Sequence, residues 1–583
     1  MGEFNLLTEP WISVITDERG KTEEVSLIDV FKNADKYIAL AGNMKAQDFA
    51  VMRVLLAVLH TVFSRFDSDG NPYDSLELDE KFMQNAEVNE DDEEDYLDDL
   101  TNTWIKIWKE GKFPDIIETY LEKWKDRFYL YDDKYPFFQV PKKVFETGKY
   151  KNGCGNVRGK YINRKINESD NKTSLFSSKR GRDDDKNLLT DSEAARWLIT
   201  YHQYTGNTDK KSFEIYEKVS FYDNKSKGWL YELGGLYLGG NNLFETLWLN
   251  CILIYPEKQY RLKIQRPCWE YKPDENIVKK FQKPAEKQSG LKNQRPCWEY
   301  SPDENIVENL EQPPIDNIAE LYTIWSRAAY IVPTKGKFKN FHMKVVKFPR
   351  LNLQNNFLEP MTVWNYSKKN NVYKPKIHLD TQSLWRSFGL IAMGAYGENV
   401  KMPGIISWLN KIKPIIGIRT VKLNALSIEG DGLETSNMLV NEIYDSLTIE
   451  DFILTDNDKE GWTIRVNEVI NLTKKIVETT FGDFVSNVAK IRNINSEKGY
   501  KKQKLEELYF KIDKPFREWI GGIKDSDEKD EKIREWKECL KKLVIESADE
   551  IMEVATDRDF IGIKKGGNIE NIAIAYNSFI NKI

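Results

Sequence analysis

The sequence predicts an α+β fold: a large mixed α/β N-terminal domain, residues 1–445, followed by a C-terminal four-helix bundle, residues 446–583. Three observations predict it. Through the first part, short apolar runs of strand and helix period alternate between Gly, Pro and Asn turns. After residue 447 prolines become rare, and Val466, Val469, Ile470, Thr473 and Val477 fall on one helix face at i, i+3, i+4, i+7 and i+11. Finally, 40% hydrophobic and 12% aromatic residues, with sixteen Trp in 583, supply several cores and exclude global disorder.

Residues 4–16 alternate apolar and polar as a strand or hairpin arm, followed by a DERG turn and VSLIDVF. The most apolar run, Phe49–Phe63, carries Arg53 and His60 and is shorter than a membrane span; a buried helix over 46–64 is predicted and membrane association is not. The acidic stretch 79–99 reads as a solvated loop or helix face. Helical spacing returns at Thr103–Trp108 and Ile116–Phe128, and YPFFQVP at 135–141 reads as a strand or Pro-bounded turn. Thr190 and Glu193 have the T-x-x-E capping-box spacing before a helix over 190–203. LWLNCILIYP at 247–256 is a core strand or helix end. Residues 265–278 recur at 294–307 with thirteen identities in fourteen, a tandem duplication at a 29-residue offset, of which one copy is expected to be packed and the other a surface excursion. In the C-terminal part, further helices are expected at 498–512, 528–555 and 568–583, which makes a bundle of four.

Charge is the most informative local signal. The net charge is −6, yet residues 142–182 hold twelve Lys or Arg against three Asp or Glu. Leu175 and Phe176 are interleaved with that basic loop, a mixture suited to gripping phosphates while pressing apolar groups on bases. Residues 335–376 hold ten Lys or Arg against Glu359 alone, with Phe338, Phe341, Phe348, Trp364, Tyr366 and Tyr373 among them. Taken alone, this second region reads as one amphipathic β-hairpin with a charged outer face; taken with the first, it points to a polyanion partner.

Catalytic chemistry leaves no such trace. None of the four His pairs with another His or with Cys at metal-ligand spacing, so zinc and HD-type sites lack their ligands. Gly20-Lys21-Thr22 resembles the end of a P-loop, but Ile15 stands where its first glycine belongs. No catalytic residue, metal or cofactor is predicted. Five scattered Cys fit a reducing cytoplasm, and the N-terminus lacks a basic, apolar leader pattern.

An ordered set of segments carries a family resemblance: NLLTEPWISV at 5–14, VSLIDVF at 25–31, IALAG at 38–42, QDFAVMRVLLAVLH at 47–60, YPFFQVP at 135–141, LTDSEAARWLITYHQY at 189–204, LWLNCILIYP at 247–256, RPCWE at 266–270 and EPMTVW at 359–364. Together they resemble CasA, the large subunit of type I-E Cascade, the RNA-guided DNA surveillance complex of CRISPR immunity. The resemblance implies a non-enzymatic subunit of the same two-domain organisation. It would recognise the protospacer-adjacent motif (PAM), help open the duplex, and leave sequence reading to guide RNA pairing. Implied partners are the guide CRISPR RNA, the target double-stranded DNA, the other Cascade subunits (backbone, small, guide-end-binding and RNA-processing), and a helicase–nuclease or another effector nuclease.

The resemblance also implies site residues. The loop 163–178 would contact the guide end and PAM-proximal DNA through Asn163, Arg164, Asn171, Lys172, Leu175 and Phe176. The turn Thr190, Asp191, Ser192, Glu193 stands where relatives carry a glycine-rich PAM loop, and it has no glycine. A lysine finger would be one of Lys335, Lys337, Lys339 or Lys344. A wedge would lie at Asn399, Val400 and Lys401, with Val400 where some relatives use glutamine. The alternatives are a general nucleic-acid-binding scaffold and a metal-dependent nuclease.

Overall fold

A computed structural model describes residues 2–147, 150–151, 153–163, 183–206, 212–213, 227–270, 315–347, 357–394, 399–430, 439–565 and 567–583. It is mixed helix and strand, and two compact units can be distinguished.

The first unit comprises Met1–His378, Pro403–Trp408 and Ala425–Tyr444. Its hub is helix α1, Lys45–Phe63, buried from Ala46 onward. The helix has the length and apolarity of a membrane span, but its apolar window lies wholly inside the protein. Around it pack Ile116–Lys123, Asp191–Tyr204, Leu243–Leu249 and Ile318–Tyr322. Burial of Arg53 is made tolerable by a bidentate pair with Glu359 (3.0 and 2.8 Å), whose carboxylate also accepts from Trp229 Nε1 at 2.7 Å. The Arg53 guanidinium also lies 4.1 Å from the Tyr322 ring centroid. A tryptophan cluster closes the core, with Trp104 stacked on Trp108 (5.4 Å) and Trp248 (5.8 Å).

The strands form small sheets whose pairings described below are antiparallel; a parallel one sets Lys347 against Ser212. β1, Ile12–Ile15, lies between β2, Thr22–Val25, and β3, Ala39–Leu40. The DERG turn between β1 and β2 is held by Asp17 Oδ1, which accepts from the N–H groups of Arg19 and Lys21. β4, Gly155–Arg158, and β6, Arg327–Ile331, flank β8, His342–Lys347. β5, Leu188–Leu189, pairs with β7, Lys339–Asn340. β9, Trp364–Ser367, and β10, Val372–Pro375, make a separate hairpin. The basic region 335–376 is therefore not one hairpin: its first part joins β4–β8 and its last part pairs with itself. Residues 135–141 form a turn rather than a strand, and 252–256 follow a helix end without strand pairing.

The second unit comprises Leu379–Met402, Leu409–Asn424 and Asp445–Ile583. It holds four principal helices. The first runs Trp462–Lys475 and continues through a π-turn at Ile476–Phe481 into Gly482–Ile491; the others are Glu497–Gly521, Lys529–Glu553 and Ile572–Ile580. Val466, Val469, Ile470, Thr473 and Val477 are all buried, as their spacing requires. Facing them, Phe516 and Trp536 meet edge to face at 4.9 Å, and Trp536 Nε1 donates to Thr473 Oγ1 at 2.9 Å. The segment Leu379–Met402 is fastened to this bundle by Trp385, stacked 4.2 Å from Phe516 with its Nε1 on Asp513 (2.9 Å), and by Arg386, 3.6 Å over the Tyr509 ring.

Candidate nucleic-acid interface

The candidate interface in the first unit is built on two short backbone pairings. β5 leads into helix α2, Asp191–Tyr204, and β7 is one side of the loop that follows β6. Phe341 N donates to Asn187 O at 2.9 Å, extending the β5–β7 contact. The expected capping box is present: Glu193 N donates to Thr190 Oγ1 at 3.2 Å, and Thr190 N to Glu193 Oε2 at 3.0 Å. Two of the orphan N–H groups at this helix end are thereby satisfied.

The turn residues are engaged inside the protein. Ser192 Oγ donates to Glu24 Oε2 at 2.7 Å, and Arg196 bridges from Glu24 Oε1 (2.7 Å) to Trp11 O. Asp191 accepts from the Tyr131 hydroxyl at 2.7 Å and pairs with Lys339 Nζ at 2.7 Å. Burial, then the bond to Asp191, pushes the Tyr131 hydroxyl pKa far up. Lys339 Nζ also sits 4.5 Å from the Tyr131 ring centroid, so its charge is neutralised and stacked.

The four finger candidates consequently occupy three environments. Lys339 is clamped in the Asp191–Tyr131 triad. Lys344 lies on β8, opposite Asn156 of β4 and Tyr330 of β6. Its strand neighbour His342 contacts Asn156 Oδ1 at 3.0 Å and has its pKa lowered by burial first, then by Lys344 and Arg158. Positive potential therefore collects on this sheet face. Lys335 and Lys337 are exposed at the loop tip, on either side of Gly336 at φ 107°, a conformation that L side chains rarely adopt. Neither is ion-paired among the described residues. Phe338 beside them is 48% exposed, with Lys337 Nζ 5.9 Å from its ring centroid.

The neck of the basic loop is fixed at the same place. Asn163 is buried, and its amide donates to Lys186 O at 2.8 Å, tying the start of the loop to its end. Gly159 abuts Asn187, where a Cβ would stand 2.6 Å from the carbonyl oxygen, so the approach requires glycine. Arg164, Asn171, Lys172, Leu175 and Phe176 lie outside the described residues.

Asn399, Val400 and Lys401 belong to the second unit: Asn399 is exposed, while Val400 and Lys401 form a half-buried two-residue strand. Sequence reasoning missed Tyr131, Arg158 and His342. Nothing in YLY at 129–131 distinguishes Tyr131 from any strand tyrosine, and its role exists only through a residue sixty positions away. Among the described residues no three His, Cys, Asp or Glu gather as a metal site.

A family model described as CRISPR-associated protein Cse1 matches residues 5–547. The CasA/Cse1 protein of Thermus thermophilus is 30% identical over 139 residues, 24% of this chain, and that match spans only 21% of the relative's length. Among solved structures, Thermobifida fusca Cse1 superposes with a TM-score of 0.72 at 20% identity, covering 100% of this chain and 97% of its own. Thermus thermophilus CasA (Cse1) gives 0.64 at 16% identity with 100% of both chains covered. A chain of a CRISPR RNA-guided surveillance complex gives 0.61 at 14% identity, covering 100% of this chain and 99% of that one. At these identities the structural likeness establishes the fold.

Proposed function

The chain belongs to the CRISPR-associated Cse1 (CasA) family, the large subunits of type I-E Cascade, and from that premise we propose that it is the non-catalytic subunit that recognises the PAM and helps open the target duplex. The observation that carries this reading is the loop tip at Lys335–Phe338. Two exposed lysines and an exposed phenylalanine stand on a base that the Lys339–Asp191 pair and the β5–β7 pairing lock to helix α2. Flexible ammonium donors suit the minor groove, whose edges offer N3 and O2 acceptors that hardly distinguish A·T from T·A. Tolerance of several PAM sequences follows from that chemistry.

On this reading Lys335 and Lys337 form the finger, and Lys339 with the Thr190–Glu193 turn positions it. The basic loop 163–178, whose first residue Asn163 is tied to Lys186, contacts the guide end and PAM-proximal DNA. Val400 acts as an apolar wedge at the first base step. Unstacking a step costs a few kcal/mol, offset by backbone contacts and by growth of the guide–target heteroduplex. The partners are guide RNA, target DNA, the other Cascade subunits and a separate helicase–nuclease to which the opened target passes, all in the cytoplasm.

The test is target-duplex binding by the complex reconstituted with and without this chain, against a library of PAM sequences. Loss of PAM-selective binding on omission is expected. Equal selectivity without the chain would leave a general nucleic-acid-binding scaffold. In the same system Val400→Gly should leave initial binding intact and slow strand opening, read by fluorescence of a base analogue beside the PAM; equal loss of both would remove the wedge role.

A further inference from the structure

The described part of the first copy of the duplicated segment, Gln265–Glu270, is a core plug of the first unit, and the second copy lies outside the described residues. Gln265 Oε1 accepts from the N–H groups of Ile318 and Ala319 (3.2 Å each) at the start of helix Ile318–Tyr322. Arg266 N donates to Asn317 Oδ1 at 3.1 Å, and Cys268 N to Thr323 Oγ1 at 3.0 Å. Trp269 packs 5.2 Å from Phe128, and its Nε1 donates to the Tyr120 hydroxyl at 2.8 Å. That hydroxyl donates to Glu270 Oε1 at 2.7 Å, and both Glu270 oxygens take Arg65 (2.5 and 2.8 Å) with neither side chain exposed.

All of these contacts come from Gln265–Glu270, and residues 294–299 repeat QRPCWE without a change. The likeness continues upstream, where Leu262 and Lys263 recur as Leu291 and Lys292. The Lys263–Glu87 ion pair (2.8 Å) therefore also has a stand-in. Arg65, Tyr120, Phe128 and Thr323 have no means of telling the two copies apart.

We propose that this socket is a binding site with two cognate occupants in one chain: residues 294–299 exchange with 265–270, moving 29 residues from the downstream to the upstream connection. Chain geometry permits the exchange. With the first copy seated, the 44 residues 271–314 precede Ile315; with the second, the 15 residues 300–314 do. Fifteen residues reach up to about 50 Å when extended, whereas Asn317, the downstream anchor, touches the plug itself. Loop-closure cost varies only with the logarithm of length, so redistribution changes the balance little. The copies differ upstream in one useful contact. Arg261 Nε donates to Tyr255 O at 3.0 Å, and Gly290 stands at the equivalent place in the second copy. The first copy is thus the majority occupant.

The test is a double-mutant cycle in the full chain with Trp269→Ala, Trp298→Ala and both. A buried Trp lost without replacement should lower the melting temperature by about 5 °C or more, and a surface Trp by about 1 °C or less. Exchange predicts that Trp298→Ala alone is silent, that Trp269→Ala is partly rescued, and that the double variant falls further than the two singles added. Thiol labelling reports occupancy directly, because Cys268 and Cys297 sit at equivalent positions. In Trp269→Ala, Cys297 should become at least about tenfold slower to label than in the parent. A Trp269→Ala variant that melts with the double variant, or whose Cys297 labels at the parental rate, overturns the proposal. Deleting residues 265–293 joins Ile264 to the second copy. That variant should melt within about 2 °C of the parent, and failure to fold would also overturn the proposal.

Discussion

Two turns of the first unit, Thr190–Glu193 and Lys335–Phe338, are linked by one pair of short strands and treat charge in opposite ways. In the first, hydroxyls and carboxylates are engaged: Thr190 and Glu193 cap each other, Ser192 holds Glu24, and Asp191 holds Lys339 and Tyr131. In the second, Lys335 and Lys337 reach solvent with no ion pair among the described residues. A polar group already satisfied inside the protein must break a bond to meet a ligand, whereas a solvated ammonium exchanges water and counterions for phosphate. On the proposed function, the contrast assigns the turn to building the interface and the tip to binding. Basic composition alone does not make that separation.

The comparison extends to its extreme in the core, where engaged charge has no water to fall back on. Glu359→Ala strands the buried Arg53 guanidinium and Trp229 Nε1, and should cost about 3–5 kcal/mol in chemical denaturation. A loss below about 1 kcal/mol would show that the pair is not desolvated.

Acid should probe the same interior. Burial lowers the pKa of His60 and of His202 to about 3, whereas the unfolded chain takes up these protons near about 6.5. Stability is therefore full above about 6.5 and falls on acidification until about 3, with a loss of about 2 kcal/mol per histidine at pH 5. Replacing His60 by Leu should reduce the slope between pH 7 and 5, measured by urea denaturation across pH. An unchanged slope would mean that His60 is not buried neutral.

At the turn, Asp191→Ala leaves Lys339 and the Tyr131 hydroxyl without their acceptor and should cost about 1–3 kcal/mol. Thr190→Ala removes one side of the capping box, at about 1 kcal/mol. At the tip, Lys335→Ala and Lys337→Ala should leave stability within about 0.5 kcal/mol. Thermal melts of these variants sharpen the contrast; a tip variant as destabilised as Asp191→Ala would erase it.

Where contacts are local, the sequence showed them. The Thr190–Glu193 spacing predicted the capping box, and the spacing of Val466 through Val477 predicted a buried face, because both depend on residues within a few turns. Non-local choices were hidden. All four lysines between 335 and 344 look alike in sequence, and Lys339 is singled out only by Asp191, which lies far away in the chain. The alternation of apolar and basic residues over 335–376 suits one hairpin or two, since strand period is silent about partner. Likewise, nothing near Trp385 shows that it stacks on Phe516, so the packing of Leu379–Met402 against the bundle was not legible.

The most direct test of the account is the salt dependence of target-duplex binding by the reconstituted complex carrying Lys335→Ala and Lys337→Ala together, beside Lys339→Ala. If the tip lysines enter the minor groove, where their charge displaces counterions held by the flanking phosphates, the double variant should bind more weakly and lose up to about 1.8 from the slope of log affinity against log salt. Lys339→Ala should keep its slope while melting earlier. A double variant with parental affinity and slope, or a Lys339→Ala variant that alone flattens the slope, would contradict the division between an engaged turn and a binding tip.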